Sequence, residues 1–441
     1  MLSECRRSPI CLLSASKILF ISYRIVGNMR KNKEFERLET LDPEARNGAH
    51  LWVSAMDGPL ARLLLLFSKT SVMSGDEQLS ELVSVTARLG PRNIPKIARS
   101  LSIPVETARH RLRKQLLSRG IGIQACIDYS KLGLQRSWLM LDFTEEFKGR
   151  ESKSATALAQ VAYLVSYFKT IPDDRFVAQV AIPFSSRLVY RQLLEGLVKA
   201  GVLKSYSVHH TAWTRQISMD TKHYDFRRTT WDIDWQLLDR TRSSIQEPAV
   251  ADPRPFDKKD ILILKELETD SSLSFIDIAS RLKLEVKTLL YHYHSHIERR
   301  SFIDRYSIRW MGDPKRRQRY AIMEVRFWFE KLSRNELFLA QEAFSRLPFT
   351  RTDSFSIDDG FYLAELTLPL THYVDILTFL QKNLKSINRR VEIGIVDQTC
   401  ASRFPIPEQM YDEEYGWVFH PGVALDRFKL LTTTPEVPAE L

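Results

Sequence analysis

Residues 93–121 (NIPKIARSLSIPVETARHRLRKQLLSRGI) and 274–302 (SFIDIASRLKLEVKTLLYHYHSHIERRSF) are two versions of one segment, related without a gap by an offset of 181 residues. Ile97 falls on Ile278, Ala98 on Ala279, Leu101 on Leu282, Val105 on Val286, Thr107 on Thr288 and Leu116 on Ile297. An ungapped match of that length marks a duplication. It continues downstream: SWLMLDFTEEF (137–147) corresponds to RYAIMEVRFWFE (319–330), and a helical stretch, ATALAQVAYLVSYFKTI, to NELFLAQEAFSRLPF. The alternating strand IPDDRFVAQVAIP (171–183) matches IDDGFYLAELTLP (357–369). Each copy then closes with an amphipathic helix and a last strand, SYSVHHTAWTRQI or RRVEIGIVDQTC. Beyond that strand, Tyr224-Asp225 leads to Trp231 as Tyr411-Asp412 leads to Trp417.

The chain of 441 residues, 44% apolar and 27% charged, is long enough for several hydrophobic cores and too apolar to be disordered throughout. The polar, proline-bearing run RTRSSIQEPAVADPRPF at 240–256 predicts a linker. The expected layout is an N-terminal extension (1–75), a first helix-turn-helix domain (76–135), a first sandwich (136–220), an extension and linker (221–256), a second helix-turn-helix domain (257–312), a second sandwich (313–404) and a tail (405–441).

No apolar run is long enough for a membrane span, since Lys17 and Arg24 interrupt the best early stretch. Residues 1–28 read either as an interrupted, signal-like run or as a segment preceding a true start at Met29, and LARLLLLF (60–67) as an added helix. Four dispersed cysteines, Cys5, Cys11, Cys126 and Cys400, make no C-x-x-C pair and predict a reducing cytoplasmic setting. The net charge of +10 suggests an anionic partner, but residues 1–33 alone hold seven basic residues against one acid, so local placement must decide.

In each copy a helix is followed by a short helix with a central alanine, a tight turn, a longer helix and a strand, which is the order of a winged helix-turn-helix. If Val105, Ala108, Leu112 and Leu116 face inward, Glu106, Thr107, His110, Arg111 and Lys114 face outward. The same geometry predicts Lys287, Thr288, Tyr291, His292 and Ser295 as exposed in the second copy. Such side chains can donate to base edges and phosphates of double-stranded DNA in a major groove. The first of these helices carries Arg109, Arg111, Arg113, Lys114 and Arg119 against one acid, Glu106, and PKRRQR (314–319) adds a basic loop after the expected wing. The second half of each unit reads strand, helix, two strands, helix, strand, a ferredoxin-like sandwich, so the fold class is α+β with two tandem units. One sheet face of such a sandwich needs a partner sheet or a ligand.

The residues DKKDILILKEL opening a helix at Asp257, Ile278-Ala279 and Leu282-x-Leu284 across the turn, and Ile297 to Ile303 leading into a strand resemble the Lrp/AsnC family of transcription regulators. The resemblance covers most of 78–404, twice over, and implies an archaeal DNA-binding regulator whose two sandwiches pair as a pseudo-dimer and carry two unlike recognition helices to two half-sites. It also leaves room for a small-molecule effector and for assembly of pseudo-dimers into homo-oligomers. Three features depart from the family. The stretch from the helix threonine to Gly120 or Ser301 is one residue longer, the effector-site turn is reduced to Asp173-Asp174-Arg175 and Asp358-Asp359-Gly360, and the Tyr-Asp to Trp extensions are foreign to it.

On this reading the chain is not an enzyme and needs no cofactor or metal. Two alternatives stay open. A nonspecific architectural DNA binder would show little preference among sites. A decarboxylase of the sirohaem type, built on the same fold, would use His209 or His210, of which an alternating strand sends at most one into any pocket. His292 and His296 stand four apart on one helix face, but no carboxylate or cysteine lies beside them at ligand spacing in the sequence. Walker, G-x-G-x-x-G, G-x-S-x-G and H-E-x-x-H motifs are absent.

Overall fold

The computed structural model describes residues 75–116, 120–217, 220–226, 228, 230–240, 253–309, 317 and 321–433. The expectations for Met29, for the 60–67 run, for Arg119, for linker residues 241–252 and for all of PKRRQR except Arg317 lie outside these residues. Copy one runs α1 (Gly75–Leu89), α2 (Ile94–Ser100), α3 (Val105–His110), β1 (Gly122–Ile127), β2 (Leu134–Phe143), α4 (Glu151–Val161), β3 (Leu164–Ile171), β4 (Phe176–Pro183), α5 (Arg187–Lys199), β5 (Leu203–His210) and β6 (Trp213–Gln216). A hairpin of β7 (Tyr224–Asp225) and β8 (Thr230–Trp231), then α6 (Trp235–Arg240), complete it. Copy two repeats this as α7 (Lys258–Thr269), α8 (Phe275–Leu282), α9 (Val286–Tyr291), β9 (Ile303–Arg309), β10 (Ile322–Phe329), α10 (Arg334–Arg346), β11 (Thr350–Ser356), β12 (Phe361–Pro369), α11 (Tyr373–Asn383) and β13 (Val391–Arg403). The hairpin β14 (Tyr411–Asp412) and β15 (Gly416–Trp417) and the helix α12 (Pro421–Thr433) follow.

Local chemistry sets these elements. Asp257 caps α7 in a reciprocal capping box with Asp260, and Ser274 caps α8. The tight turn of each helix-turn-helix uses a left-handed residue at matching positions, Ser102 (φ 52°) and Lys283 (φ 54°). After α3 and α9 the backbone widens into π-helix, Arg111–Leu116 and His292–Glu298. This accounts for the one-residue excess over the family pattern, since a π turn takes up an inserted residue without breaking the helix.

The two sandwiches share one sheet, in the order β5-β2-β4-β3-β13-β10-β12-β11-β6. Because β5 and β6 are successive stretches of one run, broken only at Thr211 and Ala212, the sheet returns on itself as a barrel. Likewise β13 pairs with β10 through Val391–Ile395 and with β3 through its C-terminal half. Helices cover the outside, and each sandwich's open face is covered by the other copy. Phe176, Ala178 and Val180 pack in the outer core toward the helices, whereas Phe361 and Leu363 point into the barrel.

Two sequence expectations are corrected, and the extensions after each sandwich acquire a role. The helical stretch 155–171 is a helix only to Val161; Tyr163 turns left-handed (φ 58°) and Leu164–Ile171 is strand. Its apolar side chains face both the outer core and the barrel, so its run conceals the alternation of a strand. The strand after each helix-turn-helix forms no wing within its own copy: β1 and β9 pair antiparallel with each other, and both helical domains merge into one core. The extensions are reciprocal straps. Trp417 donates its indole N–H to Leu132 O (2.7 Å), and Tyr163 donates its hydroxyl to Val418 O (2.9 Å), so copy two's extension holds copy one. Copy one's extension returns the contact through Trp231 against Phe349 and Trp235 against Phe379.

Candidate active site

The barrel interior has two zones. One end is closed by Trp138, Phe168, Val177, Trp328, Phe361, Leu363 and Val396. His209 lies against this plug, its ring 4.1 Å from that of Phe361 and nearly parallel to it, with its Nδ1 2.7 Å from Asp359. The other end is charged. Glu365, fully enclosed, pairs with Arg326 (3.1 Å) and Arg403 (2.7 Å) and accepts from the Thr352 hydroxyl (2.6 Å). Glu324 pairs with Arg317 (2.7 Å) and Arg326 (3.0 Å).

Burial alone would raise both carboxyls, but the guanidiniums overcome it. Glu324 is held at about 2 by Arg326, Arg351, Arg403 and Arg317, and Glu365 well below the usual carboxylate range by Arg326 and Arg403. Positive charge is nonetheless in excess. Burial, then the neighbouring Arg403, pushes Arg351 down to about 10, and burial lowers Arg309 as well.

Between this charged end, the β1–β9 ribbon and the end of α7 lies an inner cavity of about 180 Å³, lined by Arg136, Arg309, Arg351 and Arg403 against only Glu268 and Glu365 as carboxylates. Arg309 has no ion pair among the described residues. Burial raises the Glu268 carboxyl, which accepts from Tyr129 Oη (2.9 Å) and Ile406 N (2.9 Å). Arg136 lies over the Tyr129 ring at 4.3 Å. The same residues, Cys126, Tyr129, Arg136, Thr214 and Gln216, also line an outer chamber of about 670 Å³. That chamber adds Phe184, Arg187, His210, Trp213, Arg305 and Asp358. Gln135 Oε1 and Arg187 Nε on its wall are buried without a protein partner among the described residues. Its size is that of an organic-ligand pocket, and its lining is mixed in charge, with Arg136, Arg187, Arg215 and Arg305 beside Asp128, Asp304 and Asp358. Burial first, then Arg187, lowers His210, which therefore stands as a neutral imidazole with Nδ1 2.8 Å from Ser137 Oγ.

The histidine pair thus divides as strand alternation requires, and His210 alone of the two lines the outer chamber. Glu106, His110 and Lys114 are exposed on copy one's helix, with Thr107 and Arg111 half-buried. On copy two Lys287 and Tyr291 are exposed, Thr288 and Ser295 half-buried. His292 departs from the expectation: it is buried, with Nδ1 2.8 Å from Asp260, because the π segment that begins there turns it toward α7. The expectation that no carboxylate stands beside His292 and His296 is corrected as well, since Asp260 lies within hydrogen-bond reach of both. Arg317, from the basic loop, turns inward to Glu324. Sequence reading missed the arginine-lined cavity, because Arg136, Arg309, Arg351, Arg403 and Glu268 come from five separate elements; the one legible signal was Glu365 in the alternation Phe361, Leu363, Glu365, Thr367.

No protein-family model and no curated protein matches the sequence. Among solved structures, the siroheme decarboxylase NirDL matches over 80% of this chain and 98% of its own, at 11% identity and a TM-score of 0.45. Its co-complex with an iron-uroporphyrin III analogue matches over the same shares, at 10% identity and 0.47. An AsnC family transcriptional regulator from Agrobacterium tumefaciens matches 33% of this chain and 99% of its own, at 12% identity and 0.27. The expectation of a non-enzyme is corrected by these findings: the structures matching across both copies are those of an enzyme, whereas the AsnC-type likeness extends over about a third of the chain.

Proposed function

We propose that this chain is a decarboxylase acting on a tetrapyrrole polycarboxylate of the siroheme type. The observation that carries the reading is the cavity in which four arginines face two carboxylates at the charged end of the barrel, opening into a chamber large enough for an organic ligand. A buried surplus of guanidinium charge is costly unless an anion completes it. Arg309, Arg351 and Arg136 anchor carboxylate arms, while Trp213, Phe184 and Tyr129 supply apolar wall for a flat ring.

Decarboxylation breaks the bond between the carboxylate carbon and the adjoining arm carbon. CO2 leaves, the bonding electron pair stays with the arm and its conjugated ring, and the arm carbon then takes a proton. Glu268, raised by burial and lining the inner cavity, is the group suited to hold that proton, and His210 is the neutral base on the outer wall. The test is anaerobic incubation with siroheme, followed by mass spectrometry. Wild-type protein yields product short of CO2, and Arg309→Ala lowers kcat/KM by about tenfold to a hundredfold. Recovery of unchanged siroheme from folded wild-type protein contradicts the reading.

A second reading, contact with double-stranded DNA, is favoured by the exposed faces of the two recognition helices, where His110, Arg113 and Lys114 project from copy one. Arg111→Ala then costs about 1–3 kcal/mol on a specific duplex at fixed salt. Equal affinity of wild type and variant removes Arg111 from the contact set.

A further inference from the structure

Where α7 crosses the π segment of copy two, Asp257, Asp260, His292 and His296 each bring one ligand-type atom to within 4.8 Å of all the others. Asp260 is completely buried, and both imidazoles direct Nδ1 at its carboxylate, His292 at 2.8 Å and His296 at 2.9 Å. Asp257 Oδ2 lies 3.6 Å from His292 Nδ1. Ligand atoms about 2.1 Å from a tetrahedral ion stand about 3.4 Å apart, so these separations bracket the edges of such a site. Nitrogen and oxygen donors in this ratio suit a borderline divalent transition ion rather than calcium or magnesium.

Internal duplication provides a comparison. At the offset of 181, buried Leu82, Val83 and Thr86 of α1 correspond to buried Ile263, Leu264 and Leu267 of α7, which fixes the register. In that register Leu79, Arg111 and Gln115 stand where copy two has Asp260, His292 and His296. Copy one builds the same crossing of a first helix and a π segment with a buried leucine, so the fold does not require a charged cluster there.

We propose that Asp257, Asp260, His292 and His296 form a binding site for a divalent transition-metal ion such as Zn2+ or Co2+, clamping α7 to the recognition helix of copy two. The site is independent of the decarboxylase reading, since none of its residues lines either cavity. Metal bound to the folded form alone stabilises it by RT ln(1 + c/Kd), with c the free metal concentration, so stability rises with that concentration.

The test titrates Co2+ into the full-length, chelator-treated protein and reads the intense visible d–d bands of tetrahedral coordination. One equivalent binds with such bands in the wild type. His292→Ala/His296→Ala abolishes them, and Asp257→Asn, which preserves the helix cap, weakens binding about tenfold or more. Absence of tetrahedral bands in the wild type, or bands unchanged in Asp257→Asn and in the double variant, overturns the proposal. Far-UV circular dichroism of Asp257→Asn confirms that the comparison is made on folded protein.

Discussion

Copy one and copy two share one backbone plan, yet their inward faces differ. Across the paired strands β2 and β4, copy one sets Trp138 opposite Gln179; across β10 and β12, copy two sets Arg326 opposite Glu365. At these two matched positions copy one is neutral and copy two charged, so copy two supplies most of the barrel's charged end, to which copy one adds Arg136 and Gln179. At the helix crossing the same asymmetry recurs, with Leu79 against Asp260. Duplication supplied a scaffold that either chemistry can occupy, and the positions where the copies disagree are where chemistry of function has room to arise.

The sharpest break of that comparison gives copy two the residue of copy one. Glu365→Gln leaves Arg326 and Arg403 facing a neutral amide, and losing one partner of a buried pair costs about 3–5 kcal/mol, read as a lower urea midpoint. Gln179→Glu, by contrast, adds an anion to the side where excess arginine charge lies, and its cost is smaller than that of Glu365→Gln in the same assay.

Acid separates the copies next. Glu324, ordinarily near 4.5 and held at about 2 in the fold, contributes stability that is present in full above about pH 4.5 and lost as pH falls through about 2. Glu324→Gln flattens the acid limb of a pH–stability curve over that window; an unchanged limb means that copy two's charges do not govern acid unfolding.

The straps offer a third comparison. Trp417→Ala removes a half-buried indole and its hydrogen bond to copy one and costs about 2 kcal/mol in thermal or urea unfolding. Least affected is the outer helix face: Lys114→Ala shifts stability by less than about 0.5 kcal/mol, while on the DNA reading it lowers the salt slope of duplex binding by about 1.

The sequence makes much of this architecture legible, for physical reasons that can be named. Helical period, caps and a repeat at fixed offset expose each unit, because a face that must be buried leaves a pattern in one stretch of chain. Closure of the barrel was less legible, since it depends on β13 and on the β5–β6 run joining the two sandwiches into one sheet, and a strand does not encode its neighbour. The function of the Tyr-Asp to Trp extensions as mutual straps was hidden for the same reason: Trp417 meets Leu132 across 285 residues of chain. His292 defied helical geometry because a π turn shifts the register of every following side chain. The arginines of the cavity each looked like ordinary surface charge, and only tertiary structure makes Arg136, Arg309, Arg351 and Arg403 neighbours.

The central claim, that buried arginine charge selects a polycarboxylate, is tested most directly by equilibrium binding of uroporphyrin and of its fully methyl-esterified form, followed by absorbance at fixed ionic strength. The account predicts tight binding of the free acid, loss of at least about tenfold on esterification, and a matching loss of free-acid affinity in Arg309→Ala. Equal affinity for acid and ester would contradict it.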